Sequence, residues 1–84
     1  MNEIKWSKKA KRQLAKIPME FRKSITDATR SLVSFPVCRN VKPLKNHMYD
    51  FRLRVGRYRV FFDYDGEVRI IAIQEIKKRD ERTY

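Results

Sequence analysis

Residues 49–66, YDFRLRVGRYRVFFDYDG, alternate between apolar and charged side chains along two short runs. Successive side chains of a β-strand point to opposite faces, so this period of two predicts two strands with one buried face. Gly56-Arg57 predicts a tight hairpin turn between the runs, and Asp65-Gly66 predicts a second turn. The buried face is predicted to carry Phe51, Leu53, Val55, Tyr58, Val60 and Phe62, and the opposite face Asp50, Arg52, Arg54, Arg59 and Phe61.

The N-terminal part of the chain has the period of helices instead. Residues 3–6, EIKW, are a short strand candidate, and Ser7 stands where a helix N-cap is expected. Pro18 is predicted to end a first helix and to open a second, which runs to about Ser34 and stops at Pro36. One apolar stripe follows each helix, formed by Ala10, Leu14 and Ile17 in the first and by Phe21, Ile25, Ala28 and Leu32 in the second.

The two apolar stripes need a common surface, which the strands supply. Residues 37–48, VCRNVKPLKNHM, are predicted to be a long polar connection, and residues 67–76, EVRIIAIQEI, a third, more continuously apolar strand. The predicted order is β-α-α-β-β-β. We therefore expect an α+β fold, with an N-terminal strand and a helical hairpin packed on one face of an antiparallel sheet. A length of 84 residues predicts a single domain, residues 1–84.

The charge of the chain indicates what it binds. Twenty-one Lys and Arg oppose 10 Asp and Glu, which gives a net charge of +11. Such a field attracts nucleic acid, an acidic protein or an anionic membrane surface, and a solvated basic surface without a partner is the alternative.

Single residue types exclude several classes of protein. Cys38 is the only cysteine, so no intramolecular disulfide forms, and we interpret it as a small apolar filler. His47 is the only histidine, so the sequence contains no His/Cys cluster and we expect no metal or other cofactor. No apolar run approaches the ~18 residues of a membrane span, and the N-terminus has no apolar signal region. We expect a cytoplasmic protein that does not enter a membrane.

Arginines gather on the polar face of the predicted sheet. Guanidinium groups bind phosphate bidentately and stack on bases, so Arg52, Arg54 and Arg59 make this face a candidate surface for single-stranded RNA. Further candidate RNA-binding residues are Lys45, Phe61, Lys77 and Lys78, with Phe61 and Tyr84 as stacking partners. Simpler interpretations are a solvated basic face, ion pairs of Arg59 with Asp50 or Asp63, packing of Phe61 and a charged chain end.

Cleavage of RNA by its own 2′-OH would need three groups. One accepts the 2′ proton, one stabilises the extra charge on phosphorus, and one protonates the departing 5′ oxygen. Arginine suits the second role but is a poor base, because its pKa lies above about 12. The base would then be Tyr84 or a lysine whose pKa is lowered by neighbouring cations, with Asp80 and Glu81 as further candidates.

Three segments resemble the RelE/ParE superfamily of bacterial toxins: IKWSKKAKRQLAKIP, VKPLKNHMYDFRLRVGRYRVFF and EIKKRDERTY. The FRLRVGRYRV block and the C-terminal Arg-Asp-x-x-Thr-Tyr are the most specific parts. The resemblance implies a RelE-like toxin that cleaves mRNA in the ribosomal A site and leaves a 2′,3′-cyclic phosphate without a metal. The implied partners are mRNA, the ribosome with its 16S rRNA, and an acidic antitoxin protein from the same operon.

The same resemblance assigns roles to individual residues. The catalytic positions fall on Arg52, Arg54, Arg59, Arg79 and Tyr84, with Lys78 in place of Arg79 if the alignment is anchored at the final tyrosine. Arg52 occupies the position at which RelE has a lysine proposed as the general base, and Asp50 that of another RelE lysine. Phosphate binding by Arg54 and Arg59 is therefore a firmer expectation than any assignment of the base.

Two other functions compete with the mRNA endonuclease. A ParE-type toxin would bind and poison DNA gyrase, and that branch generally lacks the set of catalytic arginines and tyrosine. A basic nucleic-acid-binding module without activity is the other alternative, because a fold alone does not fix a function.

Overall fold

The computed structural model describes residues 1–79, and in it the predicted α+β arrangement is confirmed. In chain order the elements are β1 (Glu3–Trp6), α1 (Lys8–Ala15), α2 (Met19–Arg30), a 3₁₀ turn (Ser31–Ser34), β2 (Val41–Pro43), β3 (Phe51–Val55), β4 (Tyr58–Asp65) and β5 (Ile70–Lys78). The prediction that residues 37–48 only connect was wrong, because β2 lies within them. A strand of three residues is too short to show a period of two.

The strands form one five-stranded sheet in the order β1-β5-β4-β3-β2. Strands β3 to β5 pair in antiparallel fashion, as predicted, and the additional strand β2 pairs antiparallel with β3. Strand β1 adds to the edge of β5 in parallel. A parallel pair requires a long connection between its strands, and here the two helices and three strands supply it. The N-terminal strand and the last strand are thus neighbours in the fold.

The helices cover one face of the sheet, and the apolar core lies between the helices and the sheet. Leu53, Val60 and Phe62 reach this core from the sheet, and Ile25 and Leu32 reach it from the helical side. The alternation in residues 49–66 therefore identified the buried face. The inward placement of Phe21 was wrong in part, because its side chain is 40% exposed while its ring contacts that of Tyr58.

The helix ends follow their local sequence. The Ala10 N–H donates to Ser7 Oγ over 3.0 Å, which confirms Ser7 as the N-cap of α1. Pro18, with an extended backbone, precedes the first residue of α2. The second helix ends at Arg30 rather than near Ser34, and the chain continues as a 3₁₀ turn, a common ending of α-helices. Among residues 1–79, no helix is long and apolar enough to cross a membrane.

Strand β5 contains an irregularity that decides which side chains face the core. Phe61 pairs with Glu75 but Phe62 pairs with Ile73, so Gln74 is an extra residue in β5. Such a bulge shifts the alternation by one residue. Ile73 and Ile76 are consequently both buried in the core, although they are three positions apart. Without the bulge, Glu75 and Lys77 would face the core.

Side chains at the start of α1 and within it also bind backbone groups of β5 at the part of its edge that β1 does not cover. Ser7 Oγ donates to the Gln74 carbonyl over 3.0 Å, and the Ile76 N–H donates to Gln13 Oε1 over 2.7 Å. Unpaired edge groups would otherwise offer a template for another strand. The Ser7 hydroxyl therefore joins the start of α1 to the bulge of β5.

Replacement of Ser7 by alanine tests this junction. Ser7→Ala should lower the free energy of unfolding by about 1–2 kcal/mol, because it removes the cap of α1 and the bond to Gln74. Urea denaturation measures the change. Ser24→Ala, at an exposed position of α2, is the matched control and should change stability by less than about 0.5 kcal/mol. Equal stability of the two variants would contradict the role of Ser7.

Candidate functional site

Cationic side chains line up across the sheet face that the helices leave uncovered. Arg54 lies directly opposite Arg59, and Arg59 lies directly opposite Lys77. In the neighbouring row, Arg52 lies between Lys42 and Phe61. Residues directly opposite one another point to the same face, and like charges in this arrangement destabilise a sheet. The row Arg54–Arg59–Lys77 thus places three cationic side chains next to one another on the open face.

Lys42 and the three arginines of these rows border a cleft of about 370 Å³, whereas Lys77 and Phe61 do not line it. Its lining consists of Lys42, Leu44, Arg52, Arg54, Gly56, Tyr58, Arg59 and Arg79. Strands β3 and β4 supply the centre, β2 one wall, and the residue after β5 the other. Arg79 is held there by its backbone, because its N–H donates to the Arg57 carbonyl over 2.6 Å and extends the β4–β5 pairing. The four described arginines predicted to be catalytic therefore share one cavity.

Two features of the cleft depend on the backbone around it. Gly56 is the first residue of the two-residue turn and has a φ of +56°, a conformation that glycine adopts without strain. A Cβ at this position would meet no atom within 4 Å, so it would project into open space at the cleft. Lys42 was not among the predicted site residues, because β2 was not predicted. If this strand had been recognised, its pairing with β3 would have placed Lys42 opposite Arg52.

The other sequence-predicted residues are distributed unevenly. Lys77 belongs to the cationic row, whereas Lys78 pairs with the inward-facing Tyr58 and lines a separate groove with Gln13 and Ile17. Lys45 is exposed in the loop between β2 and β3 but does not line the cleft. Arg57, in the turn, is likewise exposed and outside the cleft lining. The candidates Tyr84, Asp80 and Glu81 lie outside the described residues.

Phe61 is buried, so the packing interpretation of this residue is confirmed and it is not an accessible stacking partner. Its side chain is 6% exposed, because the loop before β3 folds over it. The His47 ring stacks on it at a centroid distance of 5.1 Å and an angle of 16°, and the Tyr49 ring lies 5.7 Å away. Of these rings it is His47 that is exposed. No role was predicted for His47, because a single histidine in a polar loop belongs to no periodic pattern that would indicate its environment.

A buried carboxylate anchors this aromatic group. Glu75 Oε1 accepts hydrogen bonds from Tyr49 Oη over 2.8 Å and Lys9 Nζ over 3.1 Å, and Lys77 Nζ lies 3.5 Å from Oε2. Burial favours a raised pKa for Glu75, but these hydrogen bonds and the charges of Lys9 and Lys77 outweigh it and lower the pKa. Glu75 is therefore ionised at neutral pH and positions Lys77. An acidic residue within the apolar run IIAIQEI was the available signal for this site.

Tyr49 is a hydrogen-bond donor in this network rather than a base. Its bond to Glu75, its burial, and the charges of Glu75 and Asp63 raise its pKa. The phenol therefore stays protonated at neutral pH and holds the loop on Glu75.

The chemistry open to the cleft follows from its lining. Guanidinium groups offer rigid, paired donors that match the oxygens of a phosphate, and they stabilise charge that develops on phosphorus. No carboxylate or imidazole lines the cleft among the described residues. The described part of the site is therefore suited to bind an anion and to stabilise charge, and Lys42 is its lining side chain able to exchange a proton.

Several solved structures share this fold. The toxin–antitoxin complex RelBE2 from Mycobacterium tuberculosis matches with a TM-score of 0.80 and 24% identity, covering 93% of this chain and 98% of that chain. The archaeal RelE–RelB complex from Pyrococcus horikoshii matches with a TM-score of 0.81 and 25% identity, covering 95% and 97%. The isolated Escherichia coli RelE toxin has a TM-score of 0.80 at 11% identity, covering 96% and 87%. The architecture is thus retained where most of the sequence is not.

Sequence comparison identifies the family directly. No curated protein sequence matches the chain. The family described as the ParE toxin of the type II toxin–antitoxin system parDE matches residues 4–83, nearly the whole chain. The match includes β1, both helices and the arginine-lined sheet. The chain therefore belongs to the ParE toxin family, within the RelE/ParE superfamily, and is the toxin of a type II toxin–antitoxin system.

Proposed function

We propose that this toxin is a ribosome-dependent endoribonuclease that cleaves mRNA by attack of the strand's own 2′-OH. The observation that carries the proposal is the convergence of Arg52, Arg54, Arg59 and Arg79 in one cleft of about 370 Å³. A site that only attracted a polyanion would be served by dispersed lysines, whereas four forked donors in one cavity suit a single phosphate. The proposed activity takes place in the cytoplasm, on the ribosome, and inhibits translation.

The arginines have distinct proposed roles within this reaction. Arg54 and Arg59 are directly opposite one another and hold the scissile phosphate. Arg52, on the same strand as Arg54, and Arg79, after β5, stabilise the charge that develops on phosphorus. The attacking oxygen must lie in line with the departing oxygen, and this geometry is supplied by the ribosome-bound mRNA. Tyr84 is the proposed proton-transfer group, with Lys42 as the described residue able to assist.

The proposed protein partner is a cognate acidic antitoxin that covers the cationic face. Two of the similar structures are complexes: the toxin–antitoxin complex RelBE2 and the archaeal RelE–RelB complex. A net charge of +11 favours an acidic chain, and an extended or helical segment laid over the cleft would keep RNA out.

A second candidate function is inhibition of DNA gyrase. The specific observation in its favour is the family match, since the family is named for ParE. A supercoiling assay with purified gyrase separates the two activities. Inhibition of gyrase without new mRNA ends would favour this second candidate.

Replacement of Arg59 by alanine should abolish growth arrest and lower the rate of mRNA cleavage by about 10²-fold or more, because a main phosphate ligand is lost. The fold should stay intact, because Arg59 lies on the face of the sheet opposite the apolar core. Inducible expression with mapping of mRNA 5′ ends measures activity, and thermal denaturation measures stability.

Arg57→Ala is the matched control for Arg59→Ala. It removes the same charge from the same hairpin, but Arg57 does not line the cleft. This variant should arrest growth as the unchanged protein does. Normal arrest by a folded Arg59→Ala protein would contradict the proposed site. An equal loss in both variants would mean that net charge, and not the cleft, matters.

Replacement of Tyr84 by phenylalanine tests proton transfer separately. This change removes only the hydroxyl, so cleavage of ribosome-bound mRNA should slow by about 10²-fold or more while ribosome binding persists. Single-turnover cleavage and cosedimentation with ribosomes measure the two properties. A wild-type cleavage rate would exclude the hydroxyl as the proton-transfer group.

A further inference from the structure

The loop between β2 and β3 presents one aromatic ring to solvent beside the cleft. His47 is exposed, and the inner face of its imidazole is stacked on the buried ring of Phe61 at 5.1 Å and 16°. An exposed ring with a second ring behind it leaves one flat face open. Flat faces of this kind are the surfaces on which proteins stack the bases of single-stranded RNA.

Hydrogen bonds fix the orientation of this imidazole. The Tyr49 N–H donates to His47 Nδ1 over 3.0 Å, so the neutral ring carries its proton on Nε2. The Tyr49 hydroxyl is in turn bound to Glu75 over 2.8 Å. Asn46, just before the histidine, adopts a left-handed backbone with a φ of 52° that turns the loop. The ring is therefore held in place before any ligand binds, which reduces the entropy cost of stacking.

The position of the ring relates it to the proposed phosphate site. Phe61 lies directly opposite Arg52 on β3, and Arg59 lies two residues before Phe61 on the same face of β4. Directly opposite side chains are about 5 Å apart, and same-face neighbours along a strand about 7 Å. Because Phe61 neighbours Arg52 and Arg59 on this face, the His47 ring stacked on it lies on the same face of the sheet as the arginines.

We propose that His47 is a stacking platform for a nucleobase of the RNA whose phosphate the arginines bind, with Phe61 as its rigid support. The inference rests on the proposed RNA-cleaving function for its ligand. The proposed platform adds a contact with a base to the phosphate contacts that are proposed for the arginines. Purines, with the larger ring system, gain more from this contact than pyrimidines do.

Binding of short RNA to the purified full chain tests the platform without any cleavage step. The probes are an RNA pentamer with 2-aminopurine at its centre and the same pentamer with an abasic nucleotide there. The unchanged protein should bind the first at least about fivefold more tightly than the second, and the 2-aminopurine fluorescence should be quenched on binding. His47→Ala should bind both pentamers alike and without quenching, whereas His47→Phe should keep the preference.

Met48→Ala is the matched control, because it removes an exposed apolar side chain from the same loop. It should keep the preference for the intact pentamer. The proposal is overturned if the unchanged protein binds neither pentamer or both equally. It is also overturned if His47→Ala keeps the preference, or if Met48→Ala loses it to the same extent.

Cleavage of ribosome-bound mRNA is measured separately on the same proteins. Absence of cleavage by the unchanged protein would overturn the proposed function, while base-dependent binding at His47 would still stand. Cleavage together with base-independent binding would overturn the platform alone.

Discussion

The pairing register of β3 with β4 determines both halves of this molecule. The two-residue turn at Gly56-Arg57 fixes the register, and a slip of one residue would exchange the two faces of a strand. Leu53 would then leave the core, and Arg54 would enter it. Because a buried, unpaired guanidinium is so costly, the apolar core and the cationic cleft enforce the same alignment. The surface for binding and the interior of the protein thus depend on one constraint.

The cationic face places a toxin of this kind under opposing demands. Three cationic side chains lie opposite one another across β3, β4 and β5, and the net charge of +11 repels itself over the whole chain. The core that offsets this repulsion is that of a small protein, which buries a limited part of its surface. Any acidic ligand that binds the folded chain but not the unfolded chain stabilises it by mass action. An antitoxin would therefore both block the cleft and relieve its repulsion.

Much of the fold, and part of the site, could be predicted from the sequence, for physical reasons. Alternation over residues 50–55 assigned Leu53 to the core and Arg54 to the open face, because a half-buried strand has this pattern. The bulge in β5 leaves no such record, so the orientation of Glu75 and Lys78 came only from the structure. His47 was not predicted because its role depends on a stack with Phe61, fourteen positions away. Contacts between loops and strands have no period to detect.

The covering of β5 by α1 has a consequence for how copies of this chain behave together. Where β1 does not reach, Ser7 and Gln13 occupy backbone groups of β5. The sheet then ends in β1 and β2, strands of four and three residues. Such short margins give an approaching chain few backbone partners, so growth of the sheet from one molecule into the next is disfavoured. A protein rich in β-structure can in this way avoid pairing edge to edge with further copies of itself.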